Sequence, residues 1–515
     1  MATAAAGAGR VKEDKPLTGA RLILAGVVLA LTNFMVVLDT TIANVSVPHI
    51  SGSLAIAPSQ GTWIITSYAV AEAICVPLTG WLAARFGTVR TFVAGMLGFG
   101  FFSILCGLST SLAMLVACRI GQGLCGGPLM PLTQTLLLRI FPKEQHAQAM
   151  GLWAMTTVVA PILGPILGGT ISDTWSWPWI FFINIPIAAG CAFGATQLLR
   201  TAETPTRRLG VDVIGLALMV FWIGALQIML DLGREHDWFS DPLIIGLGVA
   251  AAVGLLVFLA WEYGENQPIV DLRVFRHRGF SVAVASLSCA FAVFFASAVV
   301  IPQWLQVSMG YTATNAGYVT AFTGVAAVVM SPVVAKLSTK VDPRALVCFG
   351  ILWLAFTSLL RTQWTTGSDF WTLATPQMLQ GFGMPFFFVP LTTIALGAVQ
   401  PHETASAAGV MSFLRTMAGA IGVSIATTIW DNGARVARAE MVGTLHPDAV
   451  TGGLTGVGMS MDRVRGTVER LVEQESMTLA TNQLFALSAA VLVVAAMIIW
   501  LSPRPRRPVD AGAAH

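Results

Sequence analysis

Charge is what this sequence most lacks. Asp, Glu, Lys and Arg make up 11% of its 515 residues, against about 25% in ordinary soluble domains. A soluble globular chain is therefore excluded. Catalytic constellations are missing too: there is no HExxH, no P-loop, no GxSxG and no paired Cys/His set, so an enzyme is not expected. The seven cysteines (Cys75, Cys106, Cys118, Cys125, Cys191, Cys289 and Cys348) all lie in apolar stretches without a CxxC pair or a histidine cluster. They read as small packing residues rather than metal or redox ligands. GQGLCG (121–126) matches GxGxxG, but it lies inside an apolar run with no strand before it, which removes the dinucleotide reading. The first 20 residues hold neither a hydrophobic region nor a cleavage site, so no removable signal peptide is expected. The net charge of +3 names no partner, and nucleic acid is not expected among them.

What the chain has instead is apolar length. Hydrophobic residues make up 55% of it, and runs of roughly 20 recur from end to end, each enough to cross a hydrocarbon layer of about 30 Å. Spans are expected near 22–47, 62–83, 91–110, 112–138, 148–171, 179–199, 210–230, 243–263, 280–303, 315–335, 344–362, 370–396, 404–429 and 478–501. With the N-terminus in the cytoplasm, 20 of the 29 Lys and Arg residues fall in inside segments and 7 outside, Arg361 among the latter. Arg119 and Arg415 remain within spans. Positive charge collects on the cytoplasmic side, so fourteen spans with both termini cytoplasmic satisfy the pattern.

An internal repeat accounts for the number. RIGQGLCGGPLMPLTQTLLLRIFPKEQHAQAMGLW (119–153) resembles QMLQGFGMPFFFVPLTTIALGAVQPHETASAAGVM (377–411), with Pro131 opposite Pro390 and Glu144 opposite Glu403. A second trace pairs Pro77 with Pro332 and Arg85 with Lys340. Spans 1–6 and 9–14 are thus two parallel copies of a six-helix unit, with spans 7 and 8 inserted. That predicts an all-α membrane protein of the major facilitator fold, with a substrate site near the bilayer midplane between the halves. The expected division is an N-terminal tail 1–21, a first half 22–200, two inserted spans 201–265, a second half 266–502 with an outer loop 430–476, and a tail 503–515.

A charge at mid-membrane costs about 2.5–3.5 kcal/mol on insertion scales and is expected to face a cavity and a partner. Four candidates stand out: Asp39, Glu72, Arg119 and Arg415. At a rise of about 1.5 Å per residue, the first three lie roughly 12–15 Å from the outer surface, on three helices of one half. Burial favours the protonated form of a carboxylate and a neighbouring guanidinium the ionised form, so competition between the two can set protonation within physiological range. Asp39, Arg119 and Glu72 are therefore the candidate proton-coupling residues. Arg415 is a candidate anchor for an anionic group. Met35, Gln122, Trp153, Phe387 and Phe388 join it as candidate substrate contacts, giving a loose and adaptable surface.

APILGPILGGTI (160–171) packs Pro161, Gly164, Pro165, Gly168 and Gly169 into span 5. Gly164 and Gly168 form a small-xxx-small face, and the prolines remove backbone donors and bend the helix. A hinge controlling access is expected there. GWLAARFGTVR (80–90) supplies a tight turn through Gly80 and Gly87, with Arg85 and Arg90 placed to bond helix ends or anionic lipid. In loop 430–476, Met461, Val464, Val468, Leu471 and Val472 fall on one helical face, predicting an amphipathic outer helix.

Taken together, LDTTIANVSVP, RIGQGLCGG and GPILGG resemble the signatures of the EmrB/QacA family of fourteen-span drug:proton antiporters. QGTWIITSYAVA, WIFFINIPI and ALQIMLDLGREHDWF narrow the resemblance to EmrB-like pumps, over nearly the whole chain. It implies proton-driven export of hydrophobic, chemically varied compounds from the bacterial inner membrane, with no cofactor beyond the proton gradient. It also implies transfer to a periplasmic membrane-fusion adaptor and an outer-membrane channel. A transporter of fatty acids or another small hydrophobic metabolite is the alternative. One departure stands out. Where the family's loop between spans 2 and 3 carries an acid, this chain has Ala84, so the usual charge latch at that turn cannot form. Glu72 belongs to no signature of the subgroup.

Overall fold

Long apolar runs in a medium without water must satisfy their own backbone, and helices do so within one segment. The structure, a computed structural model, describes residues 17–503 apart from 57, 62, 208–209, 211, 234–235, 266–267, 339, 401 and 445–459. Both expected tails fall almost wholly outside the described residues. Among those described there is no strand. Twelve helices are long and apolar enough to cross a membrane, and two bent pairs bring the number to 14. In chain order they are α1 Ala20–Ser53, α2 Trp63–Cys75 with Thr79–Phe86, α3 Thr88–Gly107 and α4 Leu112–Ile140. Next come α5 His146–Thr174, α6 Trp179–Leu198, α7 Val213–Leu232 and α8 Pro242–Gly264. The last six are α9 Arg278–Val307, α10 Ala313–Leu337, α11 Pro343–Arg361, α12 Phe370–Gly397, α13 Thr404–Thr444 and α14 Met461–Ile498.

Local chemistry sets several of the starts. Asp212, Asp241, Asp342 and Asp369 each accept a backbone N–H from the first turn of the helix that follows, and Pro242 and Pro343 occupy first-turn positions where no donor is needed. The breaks have equally local causes. α2 bends by 58° between Cys75 and Thr79, around Pro77. α5 bends by 44° between Pro161 and Ile166, where its prolines leave carbonyls without donors.

α1 to α6 pack as one bundle and α9 to α14 as another. α5 lies along α10 and α12, while α2 and the second part of α4 meet α13. α7 and α8 pair with each other, α7 reaching α2 and α13 at the seam. α8 turns Val249, Val253, Leu256 and Val257 outward, the mark of a lipid-facing helix. Small residues set the closest crossings. A Cβ on Gly164 would collide with Thr41 of α1, and one on Gly168 would lie 3.0 Å from Ile42 O. Gly169 points into open space, and the side chain of Pro165 lies outside the described residues. Asn33 ties the same pair of helices, donating to Thr156 Oγ1 at 2.9 Å and Thr157 Oγ1 at 2.8 Å.

Two expectations fail. Residues 430–444 and 461–476 are not a loop. α13 runs on to Thr444 and α14 starts at Met461, so both helices continue past their apolar segments as a pair. The predicted amphipathic helix is the first part of α14. Val464 is buried, and Val468 and Val472 are half-buried, while Met461 and Leu471 stay exposed. Ala434 and Ala437 are buried on the α13 side and Arg438 meets Glu469 at 3.1 Å, so mutual packing sustains the helices outside the bilayer. The second failure is Arg361. Rather than lying in an outer segment, it ends α11 with its side chain turned inward, 1% exposed.

Adding one methyl should separate the two glycines of α5. Gly164→Ala overpacks a contact and is expected to cost about 1–3 kcal/mol, seen as a lower thermal unfolding midpoint in detergent. Gly169→Ala should leave the midpoint where it is.

Candidate functional site

Four helices of the first half converge on one carboxylate. Asp39 of α1 is fully buried and its Oδ2 accepts from Arg119 Nη1 at 2.7 Å. Its other oxygen accepts from Asn184 Nδ2 of α6 at 2.6 Å and from Gln122 Nε2 at 3.1 Å. Gln122 Nε2 and Asn184 Nδ2 also reach Ser103 Oγ of α3, at 2.8 and 3.2 Å. Arg119 is held as closely. Its Nη1 donates to Gln122 Oε1 at 2.9 Å, its Nε donates to Ile64 O at 3.1 Å, and its carbon lies 4.2 Å from the Tyr68 ring centroid. A buried ion pair is tolerable only when most of the remaining lone pairs and protons are also satisfied, and here α2, α3, α4 and α6 supply that cage, leaving Asn184 Oδ1 and the Tyr68 hydroxyl without partners. Glycine makes the cage reachable, since a Cβ on Gly123 would lie 2.6 Å from Tyr68 O.

Not every expected residue joins it. Glu72 is buried on α2 and lies within electrostatic range of Arg415 and Arg119, but it forms no ion pair with either. Gln122 has no exposed surface and belongs to the carboxylate's cage rather than to a cavity wall. Met35, Trp153, Phe387 and Phe388 are packed together at the seam, each 2% exposed or less. Trp153 of α5 stacks on Phe388 of α12 at 5.4 Å, its Nε1 donating to Thr133 Oγ1 at 2.9 Å. Arg415 of α13 lies 5.2 Å from the Trp153 ring and 5.5 Å from that of Phe291. These aromatics close the middle of the seam. Beyond them, away from the side that carries residues 17 and 503, lies a cavity of ≈ 60 Å³ whose lining includes Pro161, Phe294 and Gln380. Drug-sized sites run to about 300–1,000 Å³, so the halves must part to take a cargo.

On the side of the chain ends, the seam is shut by direct backbone approach. A Cβ on Gly80 would lie 2.8 Å from Ser406 Cα of α13, and one on Gly409 3.1 Å from Val76 O. Arg85 lies over Trp81 and Phe86, at 5.4 and 5.7 Å. The acid absent at Ala84 is replaced from elsewhere. Glu203, after α6, accepts from Val89 N and Arg90 N, both at 3.0 Å, and so caps the start of α3. Gly87 turns beside it at φ +96°, where any side chain would strike the carboxylate. Arg139 Nη2 donates to Glu203 O at 3.1 Å, Arg207 N to Ala84 O at 2.8 Å and Trp81 Nε1 to Gly210 O at 3.0 Å. Arg90 itself stays exposed, 3.9 Å from the carboxylate. Sequence reasoning missed Glu203, Asn184 and Ser103. Only Asn184 had a visible signal, as the polar residue inside WIFFINIPI. Glu203→Ala uncaps α3 at a cost of about 1 kcal/mol, and an unchanged unfolding midpoint would contradict the capping role.

The comparisons agree with this architecture. Residues 29–423 match the Major Facilitator Superfamily. The chain is 42% identical over 501 residues to the multidrug export protein EmrB of Escherichia coli strain K12, covering 96% of this chain and 98% of that one. It is 42% identical over 497 residues to the fatty acid resistance protein FarB of Neisseria gonorrhoeae, covering 95% and 98%. Among solved structures, the human organic anion transporter TETRAN aligns with a TM-score of 0.56 at 14% identity, covering 92% of this chain and 100% of that one. A bacterial homologue of the human lysosomal transporter Spinster, inward-facing and unoccupied, aligns at 0.53 and 13% identity, covering 96% and 100%. At such identities the structural likeness speaks for the fold alone. The chain belongs to the major facilitator superfamily and, within it, to the family of the EmrB multidrug export proteins.

Proposed function

We propose that this protein is a proton-coupled multidrug exporter of the bacterial inner membrane, both termini cytoplasmic, moving hydrophobic and amphipathic compounds outward. The observation that carries the reading is the caged Asp39–Arg119 pair. A static pair is weak support for stability, whereas a carboxylate with one cation and two neutral donors can exchange that cation's hold for a proton. With the site open outward, Asp39 takes a proton, its bond to Arg119 loosens and cargo leaves. Protonation leaves Arg119 without its counter-charge, held by the oxygens of Gln122 and Ile64, and the site reorients in that state. Open inward, Asp39 gives the proton up and the ionised pair favours cargo. Proton and cargo exclude each other, which is the coupling a pump needs. One proton crossing about 100 mV releases roughly 2.3 kcal/mol, and each unit of pH adds about 1.36 kcal/mol, enough for a cargo gradient of order one-hundred-fold.

In this account the Trp153–Phe388 stack parts to admit cargo, the bend of α5 at Pro161 carries the motion, and the Gly80–Ser406 contact opens in the inward state. Glu72 and Arg415, one on each half, lie within electrostatic range of each other across the seam without direct contact. The helical pair 430–444 and 461–476 offers a membrane-fusion adaptor a surface, with an outer-membrane channel beyond it. The likeness to FarB favours fatty acids as a second cargo reading, and a growth-inhibition panel of neutral drugs and fatty acids separates the two.

Asp39→Asn should abolish pH-driven drug efflux from proteoliposomes, by at least one-hundred-fold, while drug counterflow without a gradient persists. Retention of pH-driven efflux would remove this carboxylate from the mechanism.

A further inference from the structure

The second half keeps a buried cation but not its acid. Arg361 at the end of α11 is 1% exposed. Its Nη2 donates to Gln377 Oε1 of α12 at 3.0 Å and to Gln380 Oε1, and its carbon lies over Phe485 and Trp364 at 5.6 and 5.9 Å. No carboxylate pairs with it among the described residues, and its Nε has no partner. A buried guanidinium without a counter-charge is costly.

Arginine offers donors only, so both carboxamides must turn their oxygens toward it. Their NH₂ groups therefore point elsewhere, and Gln377 and Gln380 line the ≈ 60 Å³ cavity. Gln377 is 2% exposed and its Nε2 has no partner. Thr323, also on the wall, spends its proton on Gln377 O at 3.1 Å. The wall thus carries an unpartnered amide donor beside the hydroxyls of Ser297 and Thr320 and holds no carboxylate.

The repeat says what is missing. RIGQG and QMLQG align at an offset of 258, which sets Arg119 opposite Gln377 and Gln122 opposite Gln380. Ser297 lies on the cavity wall beside both glutamines. In the first half the cation, the amide and the carboxylate are all supplied by the chain. In the second, the buried cation beside the amides stands on α11 rather than α4, and among the described residues no carboxylate pairs with it.

We propose that this wall is a headgroup subsite, in which the carboxylate of an amphipathic cargo docks on the amide donors of Gln377 and Gln380. Arg361 is the positioning residue behind them, supplying counter-charge and holding the amides. The cargo's acid supplies the carboxylate that the second half lacks, and its apolar body lies along Phe294 and Ile301. The assignment rests on the export reading, but its central test does not require transport.

Pyrenebutanoate and its methyl ester share one body and differ in the acid. Their binding to the purified full chain at pH 7, followed by pyrene fluorescence, gives an acid-to-ester preference. The wild type should prefer the acid at least tenfold. Gln380→Glu places a carboxylate beside Arg361 and fills the subsite from within, so it should lower that preference at least tenfold without leaving a buried charge unpaired. Arg361→Met should lower it as well. Equal affinity for acid and ester in the wild type, or an unchanged preference in a folded Gln380→Glu, overturns the subsite. Equal weakening of both probes would assign the glutamines a purely structural role and overturn it too. If the acid preference holds but neither compound is expelled by a pH gradient, the subsite stands and the export reading falls. If the ester is expelled and no acid preference exists, the reverse is true.

Discussion

A carboxylate and a guanidinium 2.7 Å apart with almost no exposed surface constrain everything around them. Removing two charges from water costs several kcal/mol per ion even after relaxation, and their attraction offsets this only if every remaining donor and acceptor is used. The cage from Asn184, Gln122, Ser103 and the Ile64 carbonyl meets most of that demand, only Asn184 Oδ1 and the Tyr68 hydroxyl going without a partner, and the close helix crossings at Gly123 and Gly164 make it reachable. Loss of the proton-accepting carboxylate would leave Arg119 unpaired in the same cage. Protonation of Asp39 has a milder version of that effect, because the neutral donors remain. That difference is what lets the pair act as a switch rather than as a fault.

The two halves share a ground plan and have diverged in chemistry. The first holds a complete ion pair and a stitched rim, in which Glu203 anchors the start of α3 in place of the acid lost at Ala84. The second holds Arg361 among amides and aromatic rings, next to the cavity. Between them, Trp153 and Phe388 occupy the space through which a cargo must pass. In this state the seam is filled in the middle and shut on the side of the chain ends, so the account requires the halves to rock about α5 and α10.

Much of this was legible in residue patterns, for physical reasons. Apolar length and charge scarcity force a helical membrane protein, and the repeat divides it. Asp39 and Arg119 stood out because charge in hydrocarbon is rare and needs a partner, and equal depth predicted that they meet. Neutral partners carry no such signal. Ser103 looks like any small residue in an apolar run, and Glu203 looks like a charge on a surface turn until the backbone of α3 is seen to point at it. Arg361 misled because it ends a span, where arginine usually reaches for water. Only the packing of α11 on α12 turns it inward. Residues 430–476 misled in the opposite way. Their polarity suggested a loop, but two helices that pack on each other need no membrane to persist.

The central claim is that Asp39 changes protonation during the cycle. Infrared difference spectroscopy on the purified protein, comparing wild type with Asp39→Asn, reads this directly. The account predicts a protonated-carboxyl band in the wild type that grows as pH falls, shrinks when drug is added, and is missing from the variant. A band assignable to Asp39 that ignores both pH and drug, or no such band at any pH, would contradict it.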